Sequence, residues 1–225
     1  MKKKYAVAAV AMASVIFVGF PQQSKAGETL GVGVHLGTLG PGAEISFSVL
    51  ENTRFRVGLN YLDFSLDGES NDVDYDFDTK LRSFSLLLDY HPFSSAFFLS
   101  GGAYINNNEV GVVGTFDAGE VPGSLSPYLE TAKVLADVGF NTFAPYFGIG
   151  WRSNNGTTGW DIACNFGVMF QGAPDVKNMR VEGPIDVNGI SDVQDYLANE
   201  EKEIEDDLSW FEYYPVASVQ FVYHF

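Results

Sequence analysis

Large apolar residues alternate with small or polar residues along eight short segments of this chain. Successive side chains of a β-strand point to opposite faces, so a hydrophobic period of two predicts a strand wherever it persists. Beyond the N-terminal segment, no stretch is apolar enough for a membrane helix. The alternation predicts eight strands, at residues 30–36, 43–49, 54–61, 83–90, 97–106, 145–152, 160–171 and 218–225.

The second face of these segments distinguishes a membrane barrel from a soluble sandwich. A solvated face should carry many Lys and Glu, whereas here it carries mostly Gly, Ser, Ala and Asn with a few charges. Such residues fit the interior of a narrow barrel, and lipid requires every backbone group to be bonded within the barrel. The sequence therefore predicts an all-β fold, an eight-stranded antiparallel transmembrane β-barrel.

The connections between the predicted strands differ in length at the two ends of the barrel. Short connections at 51–53, 92–96 and 153–159 would share one end with both termini. Long connections at 67–79, 109–142 and 172–213 would lie at the other end, with a short exception at 37–42. This asymmetry is typical of outer-membrane barrels, in which short turns face the periplasm and long loops face outward.

Aromatic residues collect at the predicted periplasmic end, where amphipathic rings mark the membrane–water boundary. The residues are Phe55, Tyr90, Phe93, Phe97, Trp151, Trp160, Tyr223 and Phe225. The alternating aromatic residues of the last strand, which ends in Phe225, also look like the signal that the outer-membrane assembly machinery reads.

A short acidic helix is predicted within the last long connection, from about Ser191 to Leu208. Ser191-Asp192-Val193-Gln194 fits a capping box, and the apolar residues that follow share one helical face. Two placements of this helix stay open: it could lie over the barrel mouth, or it could be exposed to solvent without covering the barrel.

The first 26 residues predict a cleaved signal peptide, which leaves residues 27–225 as the barrel domain. Three lysines precede an uncharged apolar run, and Ser24 and Ala26 fit a cleavage site before Gly27. Four of the 13 basic residues leave with the signal, so that 29 acidic residues give the mature chain a net charge of −20. Such a chain repels nucleic acid. The export signal together with the barrel pattern predicts the outer membrane of a Gram-negative bacterium.

The predicted inward face contains a set of polar side chains that would form a network in the lumen. An eight-stranded barrel is only just wide enough for its own side chains, so an open aqueous pore is not expected. The network is interpreted either as a paired polar plug or as a gated path or solute site. Its predicted members are Glu44, Arg54, Arg56, Asn60, Asp89, Tyr104, Arg152 and Asp161.

Of these residues, Arg54, Asp89, Arg152 and Asp161 are predicted to lie near the periplasmic end, together with His224.

A row of acidic residues, Asp72, Asp74, Asp76 and Asp78, would share one face of an extended segment in the second outer connection. The row could attract cations. It lacks the glycine-containing turn that arranges carboxylates around the ion in a calcium loop, so a solvated strand extension is favoured.

No metal-ligand spacing and no cofactor motif is evident. His35 with Glu44 or Ser46 is a thin candidate for a hydrolase site without a supporting motif, and Cys164 points to lipid, so no enzymatic activity is expected.

The sequence resembles the small eight-stranded barrels grouped as OmpW-like and CarO-like. The similarity lies in residues 97–104, in residues 144–150, in the acidic helix of the final loop and in residues 213–219. It implies a narrow channel or binder: CarO-like barrels are described as channels for ornithine and other basic amino acids, and OmpW-like barrels are associated with small hydrophobic solutes.

Two functions stay open for this chain. One is a channel or binder for small cationic or neutral solutes, and the other is a structural or surface-interaction barrel with a plugged lumen. The expected partners are outer-membrane lipid and lipopolysaccharide, the assembly machinery and a small solute.

Overall fold

The computed structural model describes residues 30–70, 73–92, 96–115, 132–153, 158–183 and 186–225, with the backbone alone at 66–70, 73–77 and 115. The predicted signal peptide, residues 1–26, lies outside these ranges. The described residues form eleven strands and two helices. The strands are β1 (Leu30–Gly37), β2 (Gly40–Leu50), β3 (Thr53–Ser70), β4 (Val73–Tyr90), β5 (Phe97–Asn106), β6 (Glu109–Thr115), β7 (Lys133–Gly139), β8 (Phe143–Arg152), β9 (Gly159–Phe170), β10 (Asp175–Glu182) and β11 (Tyr213–His224).

Eight of these strands close into an antiparallel barrel, which confirms the predicted fold class. The order around the barrel is β4-β3-β2-β1-β11-β9-β8-β5, and β5 pairs again with β4. Closure between β1 and β11 runs from Gly31 opposite His224 to Gly37 opposite Ser218. Each of the eight predicted segments corresponds to one barrel strand, because the period of two marks every strand with one apolar and one small or polar face.

The other three strands form a sheet extension beyond the barrel, defined here as β6, β7, β10 and the distal parts of β3 and β4. β6 pairs with β4 at Asp76–Lys80, β7 pairs with β6, and β10 pairs with β7. The long connections predicted at 67–79, 109–142 and 172–213 therefore contain strands that the sequence analysis did not identify at 109–142 and 172–213. At 67–70 and 73–79 the two strands continue, with Asp67 opposite Asp76, as predicted for the acidic row.

The outward face of the barrel is a continuous apolar surface bounded by two aromatic bands. Leu36 is 66% exposed and Phe147 is 59% exposed, and one band contains Trp160 with its ring 5.2 Å from Tyr223. The second band, which was not predicted, contains Phe170 with its ring 5.7 Å from Tyr213. Ten residues separate the bands along β9 and along β11, which corresponds to about 25 Å along the axis of a tilted barrel.

The helix predicted near the end of the chain is present as α1 (Ser191–Asp207) and is followed by a 3₁₀ turn (Ser209–Glu212). The predicted capping box is wrong: Ile190 occupies the N-cap position and no side chain caps the helix. Val193 and Leu197 pack against Val181 and Val187, so α1 covers the sheet extension. No helix in the described ranges is long and apolar enough to cross a membrane.

Candidate functional site

The inward-facing side chains of the barrel form two layers. One layer is charged and lies at the end of the barrel where β1 begins, at Leu30, and β11 ends, at His224. The layer near the β1–β2 turn is largely apolar and contains Leu39, Leu87, Tyr104, Ala144, Tyr146, Met169 and Val216. Because the β-strand period directs every second residue inward, the positions along the strands decide which layer a side chain joins.

The charged layer is an ion-paired network that we call the lumen plug, formed by Glu44, Arg54, Arg56, Asp89, Arg152, Asp161 and His224. Asp89 lies at its centre and is fully buried. Its Oδ2 is 2.7 Å from Nε of Arg56 and 3.1 Å from Nη2 of Arg152. Arg56 also lies 3.5 Å from Oε2 of Glu44, so two arginines and two carboxylates connect β2, β3, β4 and β8 across the lumen.

The plug continues from β8 to the β9 and β11 side of the barrel. Nη1 of Arg152 is 3.3 Å from Oδ2 of Asp161, and the same oxygen is 3.3 Å from Nε2 of His224. Nη1 of Arg54 lies 2.9 Å from Nδ1 of His224. Three arginines therefore face three carboxylates, which balances the charge that burial would otherwise make costly.

Phe98 fills the space between the charged groups of the plug. Its side chain is fully buried, with the guanidinium carbon of Arg152 4.9 Å and that of Arg56 5.9 Å from the ring centre. A Cβ at Gly150, on the neighbouring strand β8, would overlap the Phe98 ring. The ring and the two arginines thus fit together only because the facing position has no side chain.

A cavity lies between the plug and the apolar layer. Its volume is about 20 Å³, which is room for about one water molecule. One part of its wall is polar, with His35, Glu44, Arg56, Asn60, Asn165 and Gln220, and another is apolar or aromatic, with Leu39, Leu87, Tyr104, Tyr146 and Val216. The cavity therefore marks the boundary between the charged layer and the apolar layer.

Leu39 reaches the cavity from the two-residue turn between β1 and β2. The turn is bonded to β11: the Thr38 amide donates to the carbonyl of Ala217 at 2.9 Å, and the Thr38 hydroxyl donates to that of Pro215 at 2.9 Å. The hydroxyl of Tyr214 donates to the Thr38 carbonyl at 2.7 Å. These bonds hold the turn against β11, with the Leu39 side chain 3% exposed in the lumen.

The structure places all eight predicted network residues in the lumen, and each of them is buried. Arg54, Asp89, Arg152 and Asp161 belong to the plug alone, whereas Glu44 and Arg56 also line the cavity. Asn60 and Tyr104 line the cavity without joining the plug. Asn165 and Gln220 lie on the predicted inward face but were not named as members of the network. The alternation of their strands alone could have identified them as lumen residues.

Two other predicted groups are not assembled into sites. Asp72 lies outside the described residues, while Asp74, Asp76 and Asp78 follow one another along β4. His35 Nδ1 lies 3.8 Å from Glu44, but Ser46 accepts a hydrogen bond from Arg54 at 3.4 Å as part of the plug's surroundings. Within the described ranges, no group of three His, Cys, Asp or Glu side chains is placed to hold a metal ion.

Comparison with known proteins shows similarity at the level of the fold. No protein-family profile and no curated protein sequence matches the chain. The crystal structure of CarO2 from Acinetobacter baumannii is similar with a TM-score of 0.61 and 19% identity, over 88% of this chain and 98% of that one. CarO from the same organism gives a TM-score of 0.57 and 18% identity, over 87% and 97%. The resemblance to CarO-like barrels is thereby confirmed for the fold.

Proposed function

We propose that the protein is an integral β-barrel of a bacterial outer membrane. The apolar outer face and the spacing of about 25 Å between the two aromatic bands match the hydrocarbon belt of outer-membrane barrels. The fold shared with CarO and CarO2 supports the same location. In this proposal residues 1–26 are the export signal, and the sheet extension lies on the outer side.

Outer-membrane fractions test this location. The protein should migrate differently in detergent gels before and after boiling, because a closed barrel resists detergent until it is heated, and its N-terminal sequence should begin at Gly27. A water-soluble protein without a heat shift, or one that retains Met1 in the outer-membrane fraction, would contradict the proposal.

The function that the lumen supports best is that of a closed barrel that binds small solutes. The observation that carries it is the plug, whose ion pairs cross the lumen beside a small cavity with a partly polar wall. Removal of residues 1–26 would leave a net charge of −20, and this charge, together with the acidic row on β4, would enrich cationic or neutral solutes over anions. The second candidate, a structural barrel, is favoured by the balanced charge of the plug, which is a stable arrangement without any solute.

Planar-bilayer conductance tests whether the plug closes the lumen. The wild-type barrel should show no steady conductance, while the double variant Arg56→Ser, Arg152→Ser should show discrete steps, since two large side chains are replaced by small ones. The matched control is Lys80→Ser, Arg82→Ser, which removes two exposed cations from β4. Phe98→Ala is a second opening variant if the double variant does not fold.

Steady conductance of the wild type equal to that of the lumen variants would overturn the closed-barrel proposal. Conductance that increases equally in the control would show that the plug is not the barrier. A silent wild type with conducting lumen variants supports closure by the plug.

A further inference from the structure

The sheet extension has two edges, and they differ in how their backbone is covered. β10 forms one edge, and the distal part of β3 forms the other. β3 pairs with β2 only as far as Asn60, whereas its pairing with β4 continues to Ser70. The start of β2 lies against Leu62. Beyond this point no described strand pairs with β3 on that side, and we call residues 63–70 the open edge.

The β10 edge is sealed by side chains that follow later in the chain. The backbone amide of Val176 donates to Oε1 of Glu205 on α1 at 3.1 Å. Asn188 binds both backbone groups of Val181, accepting from the amide at 2.9 Å and donating to the carbonyl at 2.9 Å. A register shift between these positions also interrupts the regular strand. The β10 edge therefore cannot accept another strand without losing these bonds.

The open edge has none of these features among the described residues. Its strand is regular, because every residue from 63 to 70 lies opposite a residue of β4. Asp63, Phe64 and Ser65 are exposed. The backbone groups on the free side of such a strand are a template for pairing with another extended chain. Its length of about 26 Å is enough for a complete strand of ordinary size.

The charge of the hairpin formed by the distal parts of β3 and β4 decides which kind of chain suits the open edge. Residues 61–82 contain seven acidic and two basic residues, a net charge of −5. Arg82 is paired with Asp63. Lys80 is paired with Glu109, with 2.7 Å between Nζ and Oε1. The remaining negative charge lies toward the tip of the hairpin, so a basic chain is attracted and an acidic one is repelled.

A second copy of this chain does not suit the open edge. Two copies would bring together two hairpins that each carry a net charge of −5. Antiparallel pairing of two identical edges also relates the copies by a twofold axis perpendicular to the strands. In a shared membrane, such an axis would turn one barrel upside down relative to the other.

We propose that the open edge binds an extended basic peptide segment of another protein as an additional strand. Backbone hydrogen bonds along residues 63–70 would hold the segment, and its Lys or Arg side chains would lie beside the acidic residues of the hairpin. This interaction goes beyond the closed-barrel function, and it does not depend on the state of the lumen.

Fluorescence anisotropy with a labelled peptide of alternating Lys and Thr tests the proposal. The full mature barrel is titrated in an uncharged detergent at low salt. We expect saturable binding of this peptide and none of its counterpart with Glu in place of Lys. The basic peptide N-methylated at every backbone amide keeps its charge but cannot donate to β3, so it should bind at least about tenfold more weakly.

Two further measurements locate the binding site. In hydrogen-exchange mass spectrometry, the basic peptide should slow exchange in residues 63–70 and leave β10 unchanged. The double variant Asp67→Asn, Glu69→Gln removes two charges beside the open edge and should weaken binding about fivefold. Its matched control is Glu203→Gln, Asp207→Asn, which removes two exposed charges from α1 and should leave binding unchanged.

No saturable binding of the basic peptide would overturn the proposal, and so would slowed exchange elsewhere but not at 63–70. Equal affinity of the N-methylated peptide would overturn it as well, because attraction of charge alone would then explain the binding. Slowed exchange at 63–70 in a concentration-dependent dimer without peptide would assign the edge to a second copy. None of these outcomes affects the closed-barrel proposal, which the heat shift and the conductance test separately.

Discussion

At the scale of single residues, the lumen is built from large side chains that face glycines. Gly150 faces Phe98, and Gly148 and Gly167 leave room for the Tyr146 ring, where an added Cβ would overlap the ring or its hydroxyl. The alternation along each strand predicts which residues point into the lumen. It does not predict which large side chain lies opposite which glycine, because that depends on the register between adjacent strands. The position of Leu39 in the lumen could not be predicted either, since a turn residue does not follow the inward–outward alternation of a strand.

The fit of Phe98 against Gly150 leads to a prediction about stability. Gly150→Ala should lower the free energy of unfolding by about 1–3 kcal/mol, because the added methyl group overlaps a ring that buried neighbours hold in place. Gly101→Ala is the control, since a Cβ there meets no atom within 4 Å, and it should change stability by less than about 0.5 kcal/mol. Urea unfolding in lipid vesicles measures both values.

Phe98→Leu in the Gly150→Ala background extends this test. The smaller side chain should restore part of the lost stability, since it removes the overlap. Equal losses for Gly150→Ala and Gly101→Ala would show that a general loss of glycine, and not the Phe98 contact, explains the effect.

At the scale of elements, the barrel strands were predictable and the sheet extension was not. Barrel strands have one exposed apolar face and one face toward a narrow lumen, so each shows a sharp alternation. β6, β7 and β10 pair outside the barrel, and one side of this sheet packs against α1, with Ile204 of α1 against the cluster of Val138 and Val176. Their pattern depends on a helix that follows later in the chain, which local periodicity does not reveal.

The contact between α1 and the sheet extension should be separable from the barrel. Val193→Asp places a charge in a fully buried position, so it should release α1 and increase amide hydrogen exchange in α1 and β10. The heat shift in detergent gels should stay unchanged, because the barrel strands do not depend on this contact. Ala198→Asp, at an exposed position of the same helix, is the control and should leave the exchange rates of β10 unchanged.

Loss of the heat shift in Val193→Asp would show that the extension and the barrel unfold as one unit. Equal exchange in Val193→Asp and Ala198→Asp would mean that this buried face does not hold α1 in place.

At the scale of the whole molecule, the fold is a barrel with a sheet that rises from one part of its rim. The eight-stranded closure was predictable, since an even number of antiparallel strands can close and lipid permits no open edge. The charged plug was predictable as a set of residues but not as a connected chain of ion pairs. Its connectivity depends on the three-dimensional positions of Asp89 and Asp161, each of which contacts two basic side chains.

The pairing of β1 with β11 has a consequence for the order in which the barrel assembles. Gly31 pairs with His224, so the contact that closes the barrel joins residues 193 positions apart. Contacts of such long sequence separation form slowly, because the ordering entropy is lost before the contact stabilises the chain. Until β11 arrives, β1 and β9 both keep open edges, and the local hairpins alone cannot satisfy their backbone groups in lipid. The barrel is therefore a late and cooperative product of folding. In the outer-membrane location proposed above, the chain must be kept from aggregating until its final strand is in place.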